Sequence, residues 1–268
     1  MHHISRIDWS FASEPGQPVD FASGLHRVRI IGPEHGAVHT DLYVGALDPR
    51  GWLAPHVHSY EECLHVLEGE LLVRVDARVH RLVPGDRVLF PVGVRHGLGN
   101  AGGTQARWIS LNSPIKRDPS TSWPDTFYDP PEDLDAMVDA ASSPPFGDPT
   151  LRDVGRDIPI DRAFGADLLT MSGVAWGMRE DTGAHDHPYE EAIVILEGDV
   201  FSEIDGERGS HGPGDVVLVG VGSVHRFWSD GDRPVRSLRT QAPQPPARHA
   251  VRSADTWQTH DRQRSGGR

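Results

Sequence analysis

The chain of 268 residues is 37% hydrophobic and has no apolar run long enough to cross a membrane as a helix, so it reads as a soluble protein with room for two domains. Its 26 basic and 39 acidic residues give a net charge of −13, which argues against nucleic acid and anionic membrane as partners. The single cysteine, Cys63, excludes an internal disulfide, and MHHISRIDWS lacks the charged-then-apolar order of a secretory signal, so the expected setting is reducing and cytoplasmic.

Glycine (29) and proline (22) separate short apolar alternations, the pattern of an all-β sandwich or barrel. Up to residue 24 there is no clear period, although Ile4 to Phe11 fits a strand at a sheet edge. From Leu25 the alternation starts with LHRVRII and VHTDLYVGAL, and Asp48 to Gly51 is expected to be a turn. The strand from Trp52 carries His56 and His58, two apart and therefore on one face. Glu62 opens the next strand, with Glu62, Leu64 and Val66 facing inward. Glu61, Cys63 and His65 share the other face. After turns at Glu68-Gly69 and Leu82 to Gly85, RVLFP ends at Pro91, and Val92-Gly93 delivers His96. ARWISLNSP closes the unit.

The unit then recurs. His185, His187, Glu191, Gly198, Gly214 and His225 each follow His56, His58, Glu62, Gly69, Gly85 and His96 by 129 residues. Asn112-Ser-Pro114 and Gln241-Ala-Pro243 keep the same spacing, so no net insertion separates the first histidine from the end of each unit. Closely similar strand registers are expected, because a slip of one residue would turn a ligand outward. The predicted organisation is an N-terminal barrel with an extension over 1–114, a Pro/Asp-rich linker over 115–157, a C-terminal barrel over 158–243 and a tail over 244–268 that is mostly disordered, from about Arg252 on. In the linker, DPPEDLDAMVDAAS predicts one short helix capped by Asp129, with Pro130 in its first turn.

Three imidazoles and one carboxylate form a ligand set for a divalent metal. His56, His58, Glu62 and His96 would hold one ion, and His185, His187, Glu191 and His225 a second. Such a set leaves the ion a net positive charge and, at six-coordination, two open positions. The absence of cysteine ligands argues against a closed structural zinc site.

The two stretches resemble the cupin family. Gly51, His56-Val-His58, Glu62 and Gly69 match its first motif. Gly85, Pro91-Val-Gly93, His96 and Asn100 match its second. The C-terminal copy departs at Gly183, Gly220 and Ser229, which are turn and loop positions, and keeps every ligand. The resemblance covers roughly residues 25–114 and 157–243. It implies tandem double-stranded β-helix (jelly-roll) barrels and a metal-dependent enzyme acting on a small organic substrate. A dioxygenase-type oxidoreductase with Fe(II) is the first expectation, with Mn, Ni, Co, Cu or Zn as other metals. Isomerase, decarboxylase and ureidoglycine aminohydrolase-like chemistry stay open, as does non-catalytic binding of a small molecule. A homodimer is implied by analogy.

Other chemically capable residues have plainer readings. Glu61 and Glu190 sit beside the ligand glutamates, but alternation points them away, toward surface salt bridges. His65 reads as an outward strand residue, His80 as a turn residue, and His35 and His39 as solvated or rim positions. Cys63, Phe90 and Trp108 read as packing residues. Arg179, Arg226, Trp228 and Arg239 flank the second site, where an arginine would clamp a carboxylate or lie along the surface.

Overall fold

A computed structural model describes residues 2–12, 20–115, 126–142, 151–152, 160–177, 179–231, 233–245 and 252–253. The first part of the chain forms β1 (His2–Arg6), β2 (Ala22–Ile31), β3 (Asp41–His58), β4 (Glu61–Glu68), β5 (Leu71–Val75), β6 (Arg78–Leu82), β7 (Arg87–Phe90), β8 (His96–Gly99) and β9 (Ala106–Ser113). Between the barrels come β10 (Thr126–Tyr128), helix α1 (Leu134–Ala140), β11 (Ala141–Ser142) and β12 (Leu151–Arg152). The second barrel has β13 (Thr170–Trp176), β14 (His185–Asp186), β15 (Glu190–Glu197), β16 (Val200–Ile204), β17 (Glu207–His211), β18 (Asp215–Val219), β19 (His225–Trp228) and β20 (Val235–Ala242). The two-residue β21 (Arg252–Ser253) follows.

These strands build the two jelly-roll barrels expected from the repeat. In the second barrel two five-stranded sheets face each other, ordered β1-β18-β15-β20-β13 and β17-β16-β19-β14-β21. In the first the sheets merge, because β3 runs through both. It pairs with β9 over Asp41 to Leu47 and with β8 from Trp52 to His56. The turn expected at Asp48 to Gly51 is instead a corner inside this strand, made where Arg50 takes a φ of 66°.

Registers agree between the barrels. His56 is opposite His96 and His185 opposite His225, while Glu62 pairs with Asn112 and Glu191 with Gln241. The motif glycines close the turns after the ligand strands. Gly69 has a φ of 72°, and a Cβ there would lie 2.6 Å from the Gln105 carbonyl oxygen, so a side chain is excluded twice over.

Each barrel has its own interior core, with Leu64, Val66, Leu98 and Trp108 in the first and Trp176, Ile193, Val217 and Phe227 in the second. A third core lies between the barrels. Cys63, Leu89, Ile109 and Leu111 meet Met171, Ala192, Val216 and Leu238 there, and Cys63 Sγ lies 3.5 Å from Met171 Sδ. Burying such side chains contributes roughly 1.5–3 kcal/mol each, enough to dock the barrels firmly.

This contact corrects the reading of Glu61 and Glu190 as surface residues. They are only 2% and 1% exposed, because the outward faces of β4 and β15 are covered by the opposite barrel. Glu61 accepts from the backbone N–H groups of Asp167 (2.7 Å) and Leu168 (2.8 Å). Glu190 accepts from Val38 (2.6 Å), His39 (2.9 Å) and Thr40 (2.8 Å). The two glutamates are reciprocal staples across a pseudo-twofold axis.

His65 points out of its own barrel but is buried, and its Nδ1 accepts from Arg87 Nε at 3.2 Å. His80 is a buried residue of β6, not a turn residue. The α1 helix starts later than expected. Asp133, not Asp129, caps it by accepting from the Asp135 N–H, and Asp129 pairs with Arg95 instead. Within the tail read as disordered, Arg252–Ser253 pairs with β14. Gln244 is also held, its N–H donating to the Leu168 carbonyl at 2.9 Å; the tail beyond Pro245 other than Arg252–Ser253, and most of the extended linker, lie outside the described residues. No helix among the described residues is long and apolar enough to cross a membrane.

Candidate metal centres

His56 and His58 leave the end of β3 on one face, and His96 opens β8 directly opposite His56. The intervening turn is tied to the ligand strand by the Gly93 N–H, which donates to the His58 carbonyl at 3.0 Å. Gly222 does the same to His187 at 2.9 Å. The imidazoles converge in both barrels. In each of the two histidine triads the potential ligand atoms lie within 4.8 Å of one another. Ring centroids are 4.2 Å apart for His56–His96 and for His185–His225, and 4.7 and 4.8 Å for His58–His96 and His187–His225.

Every imidazole uses Nδ1 locally. His56 donates to the Ala54 carbonyl (2.9 Å), His58 to Tyr60 (2.7 Å) and His96 to Val94 (2.9 Å). His185 donates to Gly183 (2.9 Å), His187 to Tyr189 (2.8 Å) and His225 to Ser223 (2.9 Å). A carbonyl only accepts, so the proton sits on Nδ1 and the Nε2 lone pair faces the cavity. The Nε2 atoms of His96, His187 and His225 are buried without a hydrogen-bond partner. Burial, with His96 nearby, pushes the pKa of His56 down to about 3, and burial pushes that of His225 down to about 4, so both stay neutral.

The glutamates sit against these lone pairs. Glu62 Oε2 is 3.3 Å from His58 Nε2 and 3.8 Å from His96 Nε2, and Glu191 Oε2 is 3.7 Å from His187 Nε2. Acceptors facing acceptors in a buried site call for a cation between them, and three imidazoles with one carboxylate suit a divalent metal. All eight residues read from the motifs are thus brought together as two sets of four.

The surroundings of the two sets differ. The first opens on a cavity of about 50 Å³ lined by Arg27, Tyr60, Phe90, Leu98, Trp108 and Tyr128. The second cavity is about 230 Å³, with Trp176, Glu180, Asp181, Phe227 and Arg239 in its wall. The first is narrowed by β10, which returns from the linker and pairs with β3 at His56 to His58. Its Tyr128 ring lies 5.1 Å from His56 and stacks on Phe21 at 4.2 Å. Burial raises the pKa of Glu62, but the Arg27 guanidinium 3.5 Å away and the neighbouring histidines outweigh it and hold the carboxyl well below its usual range.

Several contributors escape the motif reading. Arg27 comes from β2, ahead of the first motif. Tyr128 comes from the linker. Tyr60 and Tyr189 stack flat on His58 and His187 at 3.8 and 3.9 Å, and their shared spacing of 129 residues was the signal that marks them. Phe90 and Trp108 are core residues that also line the first cavity, with Phe90 stacked on His96 at 3.9 Å. Of the residues flanking the second site, Arg239 lines the cavity. Arg226 is engaged by Asp181 (Nε to Oδ1, 2.9 Å), Trp228 stacks on Phe201, and Arg179 adopts a φ of 59°. His65, His80, His35 and His39 join neither triad.

Comparison with known proteins agrees with this architecture. The Cupin domain family (Cupin_2) matches residues 43–112 and 177–239. Polyketide synthase CurC of Streptomyces cyaneus is 30% identical over 92 residues, 34% of this chain; the match spans 60% of that protein, less than two thirds of its length. Protein SchB of Streptomyces halstedii is 32% identical over 92 residues, 34% of this chain and 67% of its own. Among solved structures, a mutant of oxalate decarboxylase OxdC from Bacillus subtilis superposes with a TM-score of 0.65 at 17% identity, over 97% of this chain and 84% of that one. The formate complex of Lactobacillus farciminis oxalate decarboxylase gives 0.67 at 15%, over 96% and 90%. At such identities the structural likeness concerns the fold. Two matched domains, two barrels and two histidine triads lead to one conclusion: the chain is a bicupin and belongs to the cupin family.

Proposed function

We propose that this bicupin is a metal-dependent enzyme of the oxygenase type, acting on a small enolic or phenolic molecule of the polyketide kind. The observation that carries the reading is the convergence of buried, partnerless Nε2 lone pairs on cavities walled by aromatic residues. His56, His58, Glu62 and His96 would hold one ion, and His185, His187, Glu191 and His225 the other. The bound ion would polarise an oxygen ligand and, as Fe(II), supply the redox chemistry for O₂. The other residues bind and orient. In the first cavity Arg27 offers one cationic edge to an ionised enol or phenol oxygen, while Trp108, Phe90 and Leu98 hold an apolar ring and exclude water. Glu180 and Asp181 in the wall of the second cavity disfavour a dianion there. The match to Polyketide synthase CurC supports a substrate with enolised carbonyls.

Redox-neutral decarboxylation is the second reading. It is favoured by superposition on oxalate decarboxylases over nearly the whole chain, including one studied for its Mn(II) centres. The two readings part on oxygen. Protein stripped with chelator and reloaded anaerobically with Fe(II) or Mn(II) is mixed with β-diketones, hydroxyquinones and small carboxylates. The first reading expects O₂ uptake matched to product. Carboxylate turnover with CO₂ release under argon would replace it with the second, and ligand retention without product at any metal loading would make the protein a binder.

A further inference from the structure

The two glutamates beside the triads are held by different partners, and the difference traces to equivalent positions. Gln241 on β20 is the cross-strand partner of Glu191, and its Nε2 donates to Glu191 Oε2 at 2.8 Å. The other end of the amide is also fixed, since Thr170 Oγ1 donates to Gln241 Oε1 at 3.2 Å. The NH₂ therefore faces the carboxylate, which can only accept. The corresponding residues of the first barrel, 129 positions earlier, are Asp41, Asn112 and Glu62, in the same registers.

Asn112 is one methylene shorter. It is fully buried, and neither Nδ2 nor Oδ1 has a partner among the described residues. Glu62 is approached instead by Arg27 at 3.5 Å, and Asp41 forms an ion pair with Arg29 Nε at 2.8 Å. One glutamate is thus oriented by a neutral amide. The other has no amide donor among the described residues.

We infer that Gln241 is a positioning residue for Glu191, and that the shorter Asn112, which leaves Glu62 without an amide donor, makes the N-terminal centre the weaker of two unequal metal sites. The inference rests on the metal-site reading above. An amide donor orients a carboxylate without neutralising it, so Glu191 meets an ion with its charge intact. Loss of an outer partner of this kind lowers metal affinity about 10–100-fold.

The test is titration of the chelator-stripped full chain with Co(II), followed by calorimetry and by the visible absorption of the ion. Two binding events are expected, separated by roughly tenfold or more in Kd. The tighter one should survive His96→Ala and vanish in His225→Ala. Gln241→Ala should weaken the tighter event about 10–100-fold and change its Co(II) spectrum, leaving the weaker event unmoved. Gln241→Asn should behave like the alanine variant, since reach is what it lacks. Asn112→Gln, in the other barrel, should tighten the weaker event, and it carries the test should the Gln241 variants fail to fold. Equal affinities in the unaltered protein overturn the inference and leave the metal reading standing. So does a Gln241→Ala protein whose melting temperature falls while both Kd values stay put. Absence of any Co(II) binding overturns the metal reading and this inference with it.

Discussion

Each imidazole of the two triads commits its Nδ1–H to a backbone carbonyl, so the direction of Nε2 is set by the strand end and not by the metal. The histidines are pre-aimed, and removing one leaves two imidazoles and a carboxylate, which weakens the hold on an ion. His96→Ala and His225→Ala should each lower bound metal from two equivalents to one, measured by elemental analysis of dialysed protein. A double variant should bind none. These residues were legible because duplication preserved their spacing while neighbouring positions drifted. Arg27 and Tyr128 were not, since one lies on a strand before the motif and the other in a linker, and only the fold carries them to His56 and Glu62. Gln241 was visible as a repeat position, but nothing in its spacing told that its amide would meet Glu191 at 2.8 Å.

At the scale of the strand, β4 and β15 serve two masters. One face supplies the ligand glutamate and barrel core, and the other supplies Glu61 or Glu190 to the opposite barrel. Alternation identified the inner face. It could not identify the outer one, because a Glu-x-Cys-x-His series reads like a solvent face, and only docking of the second barrel buries it. Glu61→Ala would leave two backbone N–H groups without an acceptor, and Glu190→Ala three. At about 1–3 kcal/mol for each unsatisfied group, Glu61→Ala should lower stability by roughly 2–6 kcal/mol and Glu190→Ala by roughly 3–9 kcal/mol in urea unfolding. Glu61→Gln keeps an acceptor oxygen and should lose less. The strap β10 makes a separate forecast. Tyr128→Ala removes a ring that stacks on Phe21 and lies over His56, so metal release from the first centre to excess chelator should quicken while release from the second stays unchanged.

For the whole molecule, buried neutral histidines tie stability to pH. Burial, with Arg87 beside it, lowers the pKa of His65 to about 3, and burial also lowers that of His211, whose Nε2 meets Ser202 Oγ at 2.8 Å. Both groups are protonated more readily in the unfolded chain than in the folded one. Their contribution is therefore complete above about pH 6.5 and is lost as pH falls below it, by about 1.4 kcal/mol per unit for His65 until its folded pKa is reached. Urea midpoints of metal-free protein at pH 7.5 and 5.0 should show the drop, and His65→Gln should reduce it. The pairing of β1 with β18 has a consequence for biosynthesis. Arg6 bonds Asp215 across 209 residues of chain, so β1, made ahead of the first barrel, has no ladder partner until the second barrel is almost fully translated. A chain lacking His2–Arg6 would present β18 as a bare ladder of peptide groups, and the damage would surface in the distant barrel as edge-to-edge clumping of newly made protein.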